Sequence, residues 1–244
     1  MTGHGVAIVG GGVAGLTAGI FTARHGFGTR VVSAGGSLLR RNAHLENVPG
    51  FPAGVNARLF LDMLREQADH AGCDRHEGEV TRVEPADGGF AIETAAGEAY
   101  RAGRVVVATK NGTDPVAHFE EVGVIQQGGK RFLDVDERGR TGLDGLYAAG
   151  RVALKPHQTV IAAGHGAEVA VTLIEDSEEP FYHDWVAPEG YFTGRGRDLP
   201  PGCEEIGTEE FRRRERESLE AMRAHFADPH PEEPEQHPSV AEDE

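Results

Sequence analysis

The sequence predicts an α/β fold of three layers, with a parallel sheet, a small antiparallel meander and a C-terminal extension. Three observations carry that expectation. Val6-Ala7-Ile8-Val9 is a short apolar run ending in glycines, the pattern of a strand buried on both faces. Leu16, Ile20 and Ala23 then recur at helical spacing before a second strand at Thr29 to Ser33, which makes one βαβ unit. Further along, Glu79–Glu84, Gly89–Thr94 and Glu98–Arg101 are separated by Asp87-Gly88-Gly89 and Ala96-Gly97, turn signals at hairpin intervals.

The remaining elements follow in order. Gly26 is placed to end the first helix, whose pattern runs from Val13 to His25. A second helix is expected over 56–71, capped by Asn56, with Leu61, Leu64 and Ala68 inward and Gly72 as its stop. Arg104–Ala108 is another buried strand, Arg131–Val135 a further strand within the mixed stretch 111–140, and Leu146–Ala149 the last short one. Gln158–Ile174 is a strongly apolar helix. After Asp176 the character changes. Residues 176–207 read as irregular, with Trp185, Tyr191 and Phe192 packing back on the body. An arginine- and glutamate-rich helix over 208–226 carries Phe211, Leu219, Met222 and Phe226 on one stripe. From Asp228 the Pro/Glu/His-rich chain reads as a disordered acidic tail, 228–244. The expected organisation is a domain over 1–176, an extension over 177–227 that packs on the body or on a partner, and that tail.

Charge bounds the function. Forty acidic against 24 basic residues give a net charge of −16, which argues against binding a nucleic-acid backbone. Only Lys110, Lys130 and Lys155 are lysines, a composition like that of extreme halophiles or of an acidic soluble protein. Two distant cysteines, Cys73 and Cys203, make neither a disulfide framework nor a zinc site, and no metal is expected. No signal peptide or membrane span is recognisable, so a cytoplasmic protein is expected.

The chemistry begins at Gly10-Gly11-Gly12-Val13-Ala14-Gly15. This G-x-G-x-x-G follows a buried strand and opens a helix, the context that makes it a Rossmann-like dinucleotide turn. Gly10 permits the tight turn, Gly12 lets the backbone approach a pyrophosphate, and Gly15 lets helix and strand pack closely. The helix N-terminus offers free N–H groups and a positive dipole end. Ser33-Ala34-Gly35-Gly36 ends the second strand, where many such folds place an acid for the ribose hydroxyls.

Six segments then fall in order: Ala7–Gly19, Gly35–Leu38, Leu45–Pro52 (LENVPGFP), Val105–Thr109, Gly145–Gly150 (GLYAAG) and Gln158–Ala170. Together they resemble the FAD domain of thioredoxin reductase and its relatives in the pyridine nucleotide-disulfide oxidoreductase superfamily, over roughly residues 5–175. The resemblance implies FAD as cofactor, with the glycine turn, Val13 and Ala14 at its pyrophosphate. It places Ser33, Ala34, Gly35, Gly36, Ser37 and Leu38 along the adenosine ribose and phosphates, and Asn47 facing the isoalloxazine. Val80 would contact adenine through its backbone, and Ala108 and Thr109 would cover the ribose side. Gln158 and Thr159 would open a helix aimed at the flavin N1/O2 edge, and a dimer is the family expectation.

Four departures qualify what the resemblance implies. The family inserts an NADPH-binding domain with a C-x-x-C between the counterparts of Thr109 and Gly145; here 35 residues (110–144) join them, with 110–130 as a short linker in its place. A conventional NADPH-thioredoxin reductase is thereby excluded. Arg151, after Gly150, stands where the family has an aspartate for the ribityl chain; an arginine there reaches the pyrophosphate, or marks weaker FAD binding or another nucleotide. Lys110 replaces a glycine and either contacts phosphate or is solvated. The chain beyond Asp176 has no recognised counterpart, and either covers the face left by the missing domain or serves in a dimer.

His157, just before the last helix, is the candidate catalytic residue as a proton donor beside the flavin, against a plain surface histidine. His44 is weighed in the same way, His165 is expected only to pack, and Cys73 to be buried and inert. The sequence thus predicts a minimal FAD-containing oxidoreductase or electron carrier served by an external donor: ferredoxin, a thiol protein or NAD(P)H. The alternatives are a non-catalytic flavin- or dinucleotide-binding regulatory module, and a biosynthetic enzyme that holds a dinucleotide as substrate.

Overall fold

The computed structural model describes residues 4–177 and 183–236. The chain divides into two compact units, one of Met1–Leu173 with Glu233–Glu244 and one of Ile174–Glu232.

The first unit is built on one sheet. β1 (His4–Val9) leads through α1 (Val13–His25) to β2 (Thr29–Ser33), and α2 (Ala57–His70) leads to β3 (Asp74–Glu77). β4 (Val80–Ala86), β5 (Gly89–Thr94) and β6 (Ala99–Val107) form the meander. A hairpin of β7 (Val124–Gln127) and β8 (Lys130–Leu133) precedes β9 (Leu146–Ala148) and α3 (Thr159–Glu175). The strand order is β3-β2-β1-β6-β5-β4, with β9 against the other edge of β6. β1, β2, β3 and β9 run parallel to their neighbours, and β4–β5–β6 antiparallel.

Alternation along β1 separates the layers. Val6 and Ile8 belong to the core shared with Leu16, Ile20, Leu61 and Leu173 of the helices. Ala7 and Val9 point into a second core with Val83 and Ile92 of the meander and Leu133 of β8. Both faces of β1 are therefore buried, which is why it reads as continuously apolar. Asn56 caps α2, its side chain accepting from the N–H of Arg58 and Leu59, and Gly26 ends α1 in a left-handed turn at φ +106°.

Several elements differ from their sequence expectation. The third meander strand and the buried Arg104–Ala108 run are one strand, β6. Its first half pairs antiparallel with β5 and its second half parallel with β1 and β9, so the sense of pairing changes along one strand. β3 was not expected, because Asp74-Arg75-His76-Glu77 is wholly polar; it lies at the sheet edge, where Arg30 of β2 bonds Asp74 at 2.9 Å. Within the expected tail, the Glu235 N–H donates to the Arg40 carbonyl at 3.0 Å, and the two side chains pair. Residues 237–244 of that expected tail lie outside the described residues.

The second unit is less irregular than expected. β10 (Trp185–Pro188) and β11 (Cys203–Ile206) pair in parallel, and α4 (Thr208–His225) follows. Trp185, Tyr191 and Phe192 pack edge-on against one another, with centroids 4.9 to 5.4 Å apart, as an aromatic cluster within this unit. The Glu205 carboxylate accepts from the backbone of Gly190, Phe192 and Thr193 and from the Thr193 hydroxyl. Those bonds, the hydroxyl foremost, hold its pKa down at about 2. The α4 stripe of Phe211, Leu219, Met222 and Phe226 exists but is exposed.

Candidate functional site

A cavity of about 620 Å³ opens at the carboxyl ends of β1 and β2 and along the segment after β6. That size falls within the roughly 300–1,000 Å³ usual for small-molecule sites. In a parallel sheet this edge is where successive helices present their N-termini, so the position follows from the topology.

The glycine turn forms its floor, and each glycine is required for a different reason. Gly10 has φ +119°, and a Cβ on it would lie 2.4 Å from the Ala108 carbonyl oxygen. A Cβ on Gly15 would lie 1.9 Å from the Gly10 oxygen. Gly12 differs: its Cβ would meet only the Ser37 hydroxyl, at 3.8 Å, so its bareness leaves room for a ligand rather than for the protein. As N-cap of α1, Gly12 supplies no side-chain bond, and the first turn carries no acid. The N–H groups that open α1 thus face the cavity without the usual partners, and the positive helix end is uncompensated.

The cavity gathers most of the residues singled out above: Gly10, Gly12, Val13 and Ala14 from the turn, and Ser33, Ala34, Gly35, Ser37 and Leu38 after β2. Asn47, Val80, Ala108, Thr109, Lys110, Arg151, His157, Gln158 and Thr159 line it as well. Asn47 and Gln158, far apart in sequence, meet directly, the Asn47 amide donating to Gln158 Oε1 at 2.9 Å. Gly15, Gly36 and Gly150 stand behind the lining. Gly150, at φ +74°, has Ala14 Cβ 2.7 Å from where its own would be, so it lets the segment after β9 touch the glycine turn. Gly166 does the same for α3, its Cβ position lying 2.3 Å from the Ala14 oxygen.

Three further residues act on the site without having been expected to. His165 is buried at 4% exposure, and its Nδ1 accepts the Gly150 N–H at 2.9 Å, so it does more than pack. Burial, with Lys155 adding repulsion, holds its pKa down at about 4. Arg58, 2% exposed, donates to the carbonyls of Arg40, Asn42 and Ala43 and fixes the chain below the cavity wall. Arg58 stands three residues before Leu61 and shares the inner face of α2 with it, but nothing local announced those acceptors. Glu79 lines the cavity beside Gly78, whose N–H donates to the Ser33 carbonyl.

Lys110 and Arg151 bring cations to the lining, and Glu79 and Asp114 bring acids. Arg151 forms no ion pair among the described residues. The Lys110 ammonium bonds the Gly36 carbonyl, and its pKa is lowered by burial and by the neighbouring Arg41 and Arg151 charges, against Glu235. His157 is pushed below its usual value by burial and by Arg151 and Lys130, which leaves its ring neutral near pH 7. His44, by contrast, bonds Glu46 at 2.7 Å and lies outside the cavity lining. Cys73 is buried, and desolvation raises its thiol to about 11. No group of three metal-ligating side chains converges among the described residues, and no described helix is long and apolar enough to cross a membrane.

These features suit an anionic dinucleotide: an uncapped α1 N-terminus, a bare Gly12, and an Arg151 without an ion pair among the described residues. Thr113, next to the cavity wall at Gly112 and Asp114, also has a buried hydroxyl without a partner. The family profile for pyridine nucleotide-disulphide oxidoreductases matches residues 58–166. The thioredoxin reductase of Streptomyces coelicolor is 34% identical over 108 residues, which is 43% of this chain and 33% of that protein. The bifunctional thioredoxin reductase/thioredoxin of Mycobacterium leprae is also 34% identical over 108 residues, 23% of its length. The matches therefore span about a third or less of these relatives. Among solved structures, a thioredoxin reductase from Gloeobacter violaceus superposes with a TM-score of 0.63 at 18% identity, covering 76% of this chain and 99% of the other. That of T. acidophilum gives 0.61 at 18%, covering 73% and 100%. At such identity the structural likeness speaks for the fold, and the sequence matches carry the kinship. Over residues 58–166 the chain is similar to the pyridine nucleotide-disulphide oxidoreductase family, and its fold is that of the thioredoxin reductases.

Proposed function

We propose that the first unit holds FAD in this cavity and serves as an oxidoreductase or electron carrier charged by an external donor. The observation that carries this reading is the meeting, in one cavity, of an uncapped α1 N-terminus with the start of α3, where Asn47 and Gln158 are bonded to each other. The backbone N–H groups from Val13 onward would bind the pyrophosphate, and Arg151 would offset its charge. The start of α3, at Gln158 and Thr159, would direct a positive helix end toward the electron-accepting ring. Bound FAD supplies the redox chemistry itself, and the protein contributes position and field. His157, neutral near pH 7, is placed to accept or shuttle a proton at the cavity wall.

An external donor is part of the proposal because the described residues between β6 and β9 form no second nucleotide domain. Residues 110–144 hold the β7–β8 hairpin rather than a second nucleotide domain, and Cys73 is too buried and too weakly acidic to attack a disulfide. A ferredoxin, a thiol protein or a diffusing NAD(P)H would then reduce the bound flavin. The visible spectrum of the purified chain tests the cofactor. Oxidised-flavin absorbance released on denaturation supports it, and a colourless chain that FAD does not reconstitute overturns it. Anaerobic bleaching by NAD(P)H, by reduced ferredoxin or by a dithiol then identifies the donor.

A further inference from the structure

The inner face of α3 carries a histidine where packing alone asks for an apolar side chain. His165 is buried, and its Nδ1 accepts the Gly150 N–H at 2.9 Å. With Nδ1 accepting, the neutral ring carries its proton on Nε2, which is buried and has no partner among the described residues. An unmet buried donor is a standing cost that an apolar side chain of similar size would avoid. What the histidine adds over such a side chain is the acceptor at Nδ1.

That acceptor falls where the sheet stops supplying one. The Ala149 N–H still donates to Val107 of β6, at 2.8 Å. One residue later Gly150, at φ +74°, turns the chain out of the ladder and into the 3-10 turn Gly150–Ala153. His165 takes up the Gly150 N–H, and the Leu154 N–H closes the turn onto the Arg151 carbonyl at 3.0 Å. Arg151, held between those two bonds, lines the cavity with Gly12, Val13 and Ala14. Three segments meet at Ala14. A Cβ on Gly150 would lie 2.7 Å from the Ala14 Cβ, and one on Gly166, next to His165, would lie 2.3 Å from the Ala14 oxygen. The start of α1, the turn that bears Arg151 and α3 therefore stand in close contact, and the His165–Gly150 bond ties the turn directly to α3.

We propose that His165 is a positioning residue for anion binding: through the Gly150 N–H it holds the Arg151 turn against the start of α1, so that the guanidinium and the open helix N–H groups grip one pyrophosphate from two sides. His165 itself does not line the cavity, so it acts through Arg151 and not on the ligand. A guanidinium is a rigid fork whose bonds to phosphate are directional, so its grip depends on where its backbone is fixed. The inference rests on reading the cavity as a pyrophosphate site with Arg151 at that group, and not on the flavin.

The test is calorimetric titration of the full chain, stripped of nucleotide, with ADP and AMP, which differ by the second phosphate. The wild type is expected to bind ADP about tenfold more tightly than AMP, and Arg151→Ala to cut that ratio to about twofold. His165→Ala is expected to cut it to about threefold while AMP affinity changes by less than about twofold, and His165→Gln, which keeps an acceptor, to preserve it. Added to Arg151→Ala, His165→Ala is expected to lower the ratio no further, because its effect passes through the arginine. If His165→Ala does not fold, His165→Leu fills the space without an acceptor and is held to the same expectations. Equal weakening of ADP and AMP in the acceptor-free variant overturns the inference, since the histidine would then serve the fold alone. So does an unchanged ratio, or a full loss that recurs without Arg151. A wild type that binds both nucleotides equally, or an Arg151→Ala variant that keeps the full ratio, overturns it too and leaves the adenosine pocket standing. Failure of both nucleotides to bind overturns the inference and the cavity reading together.

Discussion

His165 makes the fold sensitive to acid through one hydrogen bond. Its Nδ1 accepts the buried Gly150 N–H at 2.9 Å, which requires a neutral ring, and its pKa is held at about 4 against an ordinary 6.5. The sign follows from which state takes up the proton first. The unfolded chain protonates His165 near pH 6.5 and the folded chain only near 4, so the unfolded state binds more protons between these values and stability falls as the pH drops through them. The full difference corresponds to at most about 3 kcal/mol, lost by pH 4, and about 2 kcal/mol of it is gone by pH 5. His165→Gln keeps an acceptor within reach of Gly150 and removes the titration. Urea unfolding at pH 7.5 and pH 5.0 measures both proteins. The wild type is expected to lose about 2 kcal/mol more than the variant over that interval. At pH 7.5, His165→Ala should cost about 1–3 kcal/mol, the penalty of an unsatisfied buried N–H. Equal pH slopes in the wild type and His165→Gln would refute the assignment of the neutral ring to this bond.

Other expectations rest on contacts equally specific. Gly15→Ala places a methyl against the Gly10 carbonyl and should destabilise the fold by about 1–3 kcal/mol or more, read from the urea midpoint. Gly12→Leu should leave that midpoint within about 0.5 kcal/mol and abolish retention of the cofactor, because its side chain enters the cavity and not the protein. A common loss of stability in both variants would show that Gly12 is structural. Cys73, raised to about 11, should resist a thiol reagent at pH 8 until the chain unfolds, and rapid native labelling of Cys73 by mass spectrometry would contradict its burial.

Legibility in the sequence followed the range of the interactions. β1, the glycine turn and α1 were legible because their determinants are adjacent: an apolar run, then glycines, then a helical stripe. The caps at Asn56 and Gly26 were legible for the same reason, a side chain or a φ acting on its own neighbours. β3 was not, since four polar residues become a strand only when Arg30 on the neighbouring β2 stands ready to pair with Asp74. The single strand β6 was read as two, because periodicity changes at the point where its partners change from β5 to β1. Arg58 gave no local sign, as its acceptors are backbone carbonyls at the turn before the preceding loop.

What the sequence alone determined is the pattern of the turn and the resemblance that comes with it. Gly10, Gly12 and Gly15 have the spacing of a dinucleotide turn, and residues 45–52 and 158–170 carry the resemblance. Only the tertiary structure separated Gly12, bare for a ligand, from Gly10 and Gly15, bare for the protein's own carbonyls. It alone brought Asn47 to Gln158, His165 to Gly150, and the Lys110 ammonium to the Gly36 carbonyl. The reason is physical: a strand or a cap is decided by bonds between near neighbours. A cavity is decided by which distant segments the sheet order places side by side, and no short stretch of sequence carries that order.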